Sequence, residues 1–323
     1  MRLIAELADS YALHMFHRQK SSRSHFKPSE HRAWACTKRD SFFLRPEPVE
    51  IVSQVIKNCD YYTASTFSFP SQIDNGIANE TVKGLTYEAK NSNNKLNIIL
   101  VHGWRMSSRE RLDKLILEPI LREGYNLYQF TLPYHLERSP ESSAYSGELM
   151  ISADIDRTLH SVQQAVSDLR ALIHWLKTHR SGKVVLIGVS LGGLITNLTA
   201  TLEESFNGLV SLFYANSLAC TIWETTPGKY IKRDFEKHDF DYEALKKAWS
   251  VTIPSNYKPL IPKGNILLLS ASYDKYIAEQ DSKELWLAWD QPRRILYPYG
   301  HSGIVLGRKA LGKDILSFLR DVK

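Results

Sequence analysis

The chain has 323 residues, of which 43% are hydrophobic and 24% are charged, a balance typical of a globular protein with a sizeable core. Its sequence contains no apolar run that approaches the ~18 residues of a membrane-spanning helix. Acidic residues within the apolar stretch 1–9 also argue against a signal or transit peptide.

The three cysteines, Cys36, Cys59 and Cys220, are odd in number and widely spaced. This pattern favours neither a disulfide framework nor a zinc site, and it is typical of a protein in the reducing cytoplasm. We therefore expect a cytoplasmic protein without a bound metal.

The net charge of +6 is concentrated at the N-terminus, where residues 1–40 hold eight Lys and Arg against four Asp and Glu. Such an excess indicates either a patch for an anionic membrane, nucleic acid or acidic substrate, or a solvated extension. Because no nucleic-acid motif accompanies the charge, we expect no nucleic-acid partner. The solvated extension is favoured, and a membrane contact through the basic N-terminus stays open.

Residues 1–95 are expected to form an N-terminal extension that packs on the main domain. Apolar residues at helical spacing predict an amphipathic helix over 3–16. Alternating apolar and polar residues predict short strands at Tyr61–Phe69 and Thr81–Tyr87, with a turn-rich segment between them.

From residue 96 to residue 323, apolar runs alternate with amphipathic stretches. Strands are predicted at Leu96–Val101, Asn126–Leu132, 183–188, Leu209–Tyr214, Asn265–Ser270 and Arg294–Pro298, and helices at 107–122, Asp154–Thr178, 191–202, Ile277–Trp289 and Ile304–Leu319. This alternation predicts a parallel sheet with helices on both faces.

The alternation is interrupted at residues 217–262, which we expect to form a small helical cap. Long connections inside compact domains are usually functional, and this one follows a strand end, where open α/β sheets bind ligands. The aromatic residues of the insertion, among them Trp223, either line a substrate pocket or form the core of the cap itself.

The most informative motif is Gly188-Val189-Ser190-Leu191-Gly192, between an apolar strand and a helix. Strand, G-x-S-x-G and helix form the nucleophile elbow, in which a tight turn exposes the serine hydroxyl. The two glycines are needed because a side chain there would collide with neighbouring backbone. Ser190 is therefore the predicted nucleophile.

A serine needs a base to take its proton and an acid to orient that base. Asp274 follows the predicted strand 265–270, and His301 follows the predicted strand 294–298. The order Ser, Asp, His along the chain is that of the nucleophile-elbow enzymes. We therefore predict a triad of Ser190, Asp274 and His301.

The predicted oxyanion hole combines the backbone N–H of Leu191 with that of Trp104. Leu191 directly follows the nucleophile, and Trp104 lies in the loop after strand 96–101, next to Gly103. His102 precedes the nucleophile in the chain, and we expect it to support this loop.

With these four elements, residues 96–323 resemble the α/β-hydrolase superfamily. The resemblance implies an eight-stranded, mostly parallel sheet and hydrolysis of an ester, thioester or amide without a metal or organic cofactor. A weaker resemblance, through Phe67–Ser71 and the Tyr145–Glu148 loop, is to uncharacterised bacterial hydrolases with an abhydrolase domain.

The leading hypothesis is a serine hydrolase that cleaves a carboxylic ester of a small-molecule acyl substrate. A peptidase, a thioesterase, an acyltransferase and a non-catalytic binding module on the same scaffold are the alternatives. His135 and Arg138, in the loop after strand 126–132, are candidates to contact a polar or anionic part of the substrate, and the alternative is that the charged residues of this loop pair with one another on the surface. Trp223 is a third candidate contact.

Overall fold

The computed structural model describes residues 2–21, 23–30, 38–76, 79–91, 96–304 and 307–322. Cys36 and part of the basic N-terminal segment lie outside the described residues. Within the described residues the chain forms one nine-stranded sheet in the order β1-β2-β3-β5-β4-β6-β7-β8-β9. The strands are β1 (Val52–Asn58), β2 (Tyr62–Pro70), β3 (Thr81–Ala89), β4 (Leu96–Val101), β5 (Asn126–Phe130), β6 (Lys183–Val189), β7 (Gly208–Leu212), β8 (Ile266–Ala271) and β9 (Arg293–Tyr297).

The predicted mostly parallel sheet is confirmed, but the predicted number of eight strands is wrong. The additional strand is β1, an edge strand whose residues are all exposed. Because neither face of β1 is buried, its sequence carries no apolar alternation that would mark it as a strand. The strands from β4 onward pair in parallel, whereas β1, β2 and β3 pair antiparallel with their neighbours.

The helices are α1 (Arg2–Arg18), α2 (Arg39–Phe42), α3 (Glu110–Leu112), α4 (Glu118–Arg122), α5 (Ile155–His179), α6 (Leu191–Ala200), α7 (Leu218–Glu224), α8 (Lys229–Glu236), α9 (Tyr242–Ala248), α10 (Glu279–Ala288) and α11 (Arg308–Asp321). A π-helical turn, Asp113–Leu117, joins α3 to α4. Within the described helices, none has the length and apolar character needed to cross a bilayer.

Two hydrophobic cores cover the two faces of the sheet. Successive residues of β4 alternate between them: Ile99 packs with α5 and α6, whereas Ile98 and Leu100 pack with α3, α4 and α11. This alternation follows from the two-residue period of a strand. The carboxyl ends of the parallel strands therefore meet at one edge of a rigid sheet.

Between β7 and β8 the chain forms α7, α8 and α9. Phe235 of α8 and Trp249, which follows α9, are almost completely buried, and their rings lie 6.1 Å apart. The aromatic residues of this insertion therefore contribute to the hydrophobic core that covers α5 and α6.

Helix α1 packs on the protein through a different face from the one that its apolar pattern suggests. The helix buries Ala5, Asp9 and Leu13, which are spaced four residues apart. The exposed large apolar side chains of α1 are Leu3, Ile4, Leu7, Tyr11 and Met15. A completely buried carboxylate on the packed face, Asp9, is the unusual feature of this helix.

Candidate active site

Ser190 lies in the sharp turn between β6 and α6. Its φ of 55° and ψ of −114° belong to a region that non-glycine residues rarely occupy. A side chain at Gly188 would collide with Gly192 and Thr196, and one at Gly192 would collide with Val101 and His102. The turn is therefore strained and requires both glycines, as the motif predicts.

Three side chains from separate loops meet at this turn. His301 Nε2 lies 3.0 Å from Ser190 Oγ, and His301 Nδ1 lies 2.8 Å from Asp274 Oδ2. The tautomer in which Nδ1–H donates to Asp274 and Nε2 accepts from the Ser190 hydroxyl satisfies both contacts. The structure thus brings the three predicted residues together in the order that proton transfer from the serine requires.

Asp274 is itself held by backbone groups of its own loop. Its Oδ1 accepts hydrogen bonds from the N–H groups of Tyr276, at 2.8 Å, and Ile277, at 2.9 Å. Its Oδ2 is left facing the imidazole of His301. The carboxylate can therefore not rotate without breaking these bonds, and its orientation is set before any substrate binds.

The ring of His301 is mostly buried and stacks on an aromatic side chain. It stacks on Tyr276, with ring centroids 4.5 Å apart, and its side chain is 12% exposed. Burial by itself lowers the pKa of His301, but the charge and the hydrogen bond of Asp274 outweigh it, and the charge of Asp9 acts in the same direction. The net result is a pKa of His301 above its ordinary value.

This raised pKa predicts the acid limb of a pH–rate profile. Protonated His301 cannot accept the serine proton, so kcat/KM should fall as the pH drops through the pKa of this group. We expect the midpoint above the ~6.5 of an unperturbed histidine. Hydrolysis of an activated ester measured between about pH 5 and pH 9 checks this, and a midpoint at or below ~6.5 would contradict it.

The loop after β4 passes directly beside the serine. A Cβ at Gly103 would lie 3.3 Å from Ser190 Cβ. The absence of a side chain at Gly103 therefore lets the backbone of this loop lie close to Ser190. The indole N–H of Trp104 donates to Gly147 O at 2.9 Å and fixes this side chain. Leu191 opens α6, where the first N–H groups of a helix have no partner within the helix.

Two buried histidines support this loop. His102 Nδ1 donates to Gly103 O at 2.8 Å, and His102 Nε2 accepts from the N–H of Leu132 at 3.2 Å. His135 Nε2 accepts from the N–H of Arg105 at 3.1 Å. Burial lowers the pKa of His102 to about 4 and that of His135 well below its ordinary value, so both rings are neutral.

The expected substrate contacts of His135 and Arg138 are wrong. Both side chains are completely buried, and neither has surface left for a substrate. Arg138 forms an ion pair with Asp168 at 3.3 Å, and Asp168 also accepts from the hydroxyl of Ser71. The charged residues of this loop are thus structural, since a buried charge is stable only when it is paired and hydrogen-bonded.

Trp223 also belongs to the internal packing of the insertion. Its ring lies 5.9 Å from Tyr242 of α9, and the ammonium of Lys232 lies 5.1 Å above it. Trp223 does not line the cavity beside Trp104. Trp223 therefore packs within the insertion and lies outside that cavity.

A cavity of about 300 Å³ opens beside Trp104, between the N-terminal segment and the insertion. Five cationic side chains line it: Lys20, Arg23, Arg105, Arg233 and Lys237. Within the described residues none of the five forms an ion pair. The lining carboxylate, Asp234, accepts from the N–H of His25 at 2.7 Å.

Arg105 is the most constrained of these cations. Its backbone has a φ of 58°, and its guanidinium lies 3.6 Å from the ring centroid of Tyr145 and 3.9 Å from that of Phe16. Burial lowers the pKa of Arg105 to about 10, which leaves it charged at neutral pH. Sequence reasoning missed this residue, because its only signal is its position two residues after Gly103.

The family model described as "Alpha/beta hydrolase family" matches residues 98–313, which is more than half of the chain. The protein belongs to the alpha/beta hydrolase family.

The Bacillus subtilis (strain 168) protein "Uncharacterized protein YdjC" is 49% identical over 113 residues, covering 35% of this chain and 97% of that protein. The Mycobacterium tuberculosis (strain H37Rv) protein "Uncharacterized protein Rv2627c" is 26% identical over 229 residues, and this match covers 65% of the chain but only 51% of the mycobacterial protein.

Solved structures of similar fold include acetyl xylan esterases. The enzyme from Paenibacillus sp. R4 has a TM-score of 0.66 at 13% identity, covering 96% of this chain and 99% of that chain. Acetyl xylan esterase 1 from Thermoanaerobacterium sp. JW/SL YS485 has a TM-score of 0.65 at 14% identity, covering 93% and 96%. At this identity the likeness shows the fold alone.

Proposed function

We propose that this protein is a serine hydrolase that cleaves carboxylic esters. The observation that carries the proposal is the continuous chain of hydrogen bonds from Asp274 through His301 to Ser190 on a strained nucleophile elbow. An unactivated serine hydroxyl is a weak nucleophile, and this arrangement supplies the base and its orienting acid.

In the proposed reaction, Ser190 Oγ attacks the acyl carbon while its proton passes to His301 Nε2. The backbone N–H groups of Trp104 and Leu191 stabilise the oxyanion. His301 then gives the proton to the leaving alcohol, and Asp274 stabilises the imidazolium that forms in between. Water attacks the acyl-enzyme, gives its proton to His301, and the serine regains a proton as the acid product leaves.

Covalent labelling tests this proposal without knowledge of the natural substrate. A fluorophosphonate probe should modify the protein once, and peptide mass spectrometry should locate the adduct on Ser190. Labelling elsewhere, or none on folded protein, would contradict the proposal.

A comparison of substrates distinguishes the ester hydrolase from a thioesterase or a peptidase. An ester, a thioester and an amide of one acyl group are offered side by side, and the ester should be hydrolysed fastest. The named esterases of similar fold are the reason to test esters first.

We further propose that the substrate carries an anionic group. Five cations that form no ion pair within the described residues line the cavity beside Trp104, and Arg105 lies on the same loop as the proposed oxyanion donor. A carboxylate or phosphate there would gain charge-assisted hydrogen bonds from groups that form no ion pair within the described residues. The cavity is large enough for a small acyl or alcohol portion.

Replacing Arg105 by glutamine should therefore lower the preference for anionic esters. A charge-assisted hydrogen bond contributes about 1.5–3 kcal/mol, so the ratio of kcat/KM for a succinate ester with a free carboxylate to that for a butyrate ester should fall roughly 10- to 150-fold. Arg122→Gln is the matched control, because Arg122 is exposed and paired with Glu118. An unchanged ratio in the Arg105 variant would refute the anionic substrate.

A further inference from the structure

The carboxylate of Asp9 lies between the two loops that carry Asp274 and His301. It is completely buried and accepts three backbone hydrogen bonds. Oδ2 accepts from the N–H of Lys275 at 3.0 Å and from that of His301 at 2.9 Å, and Oδ1 accepts from that of Ser302 at 2.8 Å. One side chain of α1 therefore ties the residue after Asp274 to His301 itself.

The residues around the carboxylate of Asp9 leave space for it. A Cβ at Gly300 would lie 2.5 Å from the carboxylate carbon of Asp9, so glycine before His301 leaves the space that the acid occupies. The side chain of Lys275 donates to Ser10 Oγ at 2.9 Å, which adds a second link between the Asp274 loop and α1. Burial of a carboxylate is costly unless its oxygens are hydrogen-bonded, and here both are.

A second, aromatic contact joins the end of α1 to the same region. The ring of Phe16 lies 5.4 Å from Trp104 and 6.0 Å from Tyr276, and Tyr276 stacks on His301. Helix α1 thus touches the loop of the proposed oxyanion donor on one side and the base on the other.

We propose that Asp9 is a positioning residue of the active site. It holds the loop of Asp274 and the loop of His301 at a fixed distance from each other through their backbone N–H groups. This inference rests on the proposed hydrolase function, and it means that α1 contributes a residue to the active site. Holding the reacting groups in place is worth a large factor in rate, since a displacement of about 1 Å can cost ~10²-fold. The negative charge of Asp9 also favours protonated His301.

Asp9→Asn tests the proposal in the 323-residue chain. Both carboxylate oxygens accept bonds, so an asparagine must turn its NH₂ group toward at least one N–H donor. We expect kcat for an activated ester to fall roughly 10- to 100-fold with a smaller change in KM. Because the charge is lost, the acid limb of the pH profile should also move to lower pH.

Glu6→Gln is the matched control, since Glu6 lies one turn earlier on α1 and pairs with exposed Arg2. It should leave kcat and the acid limb unchanged. If the asparagine variant does not fold, Asp9→Ala assayed with and without added formate replaces it, because formate can return a carboxylate to the vacated space. Recovery of kcat with formate, but not with chloride, supports the positioning role.

The outcomes separate the two proposals. If wild-type protein neither reacts with a fluorophosphonate nor hydrolyses esters, the proposed function fails. If wild-type protein is active and Asp9→Asn keeps both its kcat and its acid limb, only the role of Asp9 is overturned. A fall in kcat without a shift of the acid limb and without formate recovery would mean a purely structural role, and it would also overturn the proposal.

Discussion

Replacing Ser190 by alanine is expected to lower kcat/KM for a short-chain nitrophenyl ester by at least ~10³-fold. The loss follows from the removal of the proposed nucleophile, Ser190 Oγ, which lies 3.0 Å from His301 Nε2. Alanine keeps the Cβ, so the strained turn gains no new collision. The Ser190 side chain makes no capping hydrogen bond to α6, so the thermal midpoint should hardly change.

Ser142→Ala is the matched control for this variant, because Ser142 lies exposed in a loop. It should keep full activity and full labelling by the fluorophosphonate probe. If Ser190→Ala retained more than a tenth of the wild-type kcat/KM, or still took up the probe, Ser190 would not be the nucleophile.

Asp274→Asn is expected to lower kcat by roughly 10³- to 10⁴-fold while leaving the protein folded. Two backbone N–H groups donate to Oδ1, so the asparagine carbonyl oxygen should stay there and the NH₂ group should face His301 Nδ1. Nδ1 must then be an acceptor, and the proton moves to Nε2, where it prevents His301 from taking the serine proton.

The pH profile gives this second prediction an independent readout. The charge of Asp274 raises the pKa of His301, so its removal should move the acid limb of the residual activity to lower pH. Asp290→Asn, at an exposed residue paired with Lys258, serves as control and should change neither kcat nor the limb. A variant at position 274 with kcat within tenfold of wild type would refute the assigned role.

The main architecture could be predicted from the sequence because its signals are local. Buried strands such as β4 and β6 appear as continuous apolar runs, and the elbow at Ser190 needs two glycines at fixed spacing. The positions of Asp274 and His301 follow from the same regularity, since each lies just after a strand and parallel strand ends meet at one edge. The edge strand β1 was missed because full exposure removes that signal.

The direction of a side chain could not be predicted for His135 and Arg138. His135 and Arg138 follow a strand end, as Asp274 does, yet both point into the protein, where Arg138 pairs with Asp168. Nothing local distinguishes a charged residue that faces a cleft from one that is buried against a partner. That distinction depends on where Asp168 of α5 lies, and the sequence of the loop carries no information about the position of Asp168.

The sequence by itself therefore determined the fold class and predicted the strained serine and the two residues proposed to activate it, because each is encoded by patterns of a few neighbouring residues. Only the tertiary structure revealed Asp9 and Arg105. The hydrogen-bond partners of Asp9 are 266 to 293 positions away in the chain. In the sequence, nothing distinguishes Asp9 from an acidic residue on the exposed face of a helix. Long-range hydrogen bonds of this kind leave no periodicity, so their residues become visible only when distant loops meet.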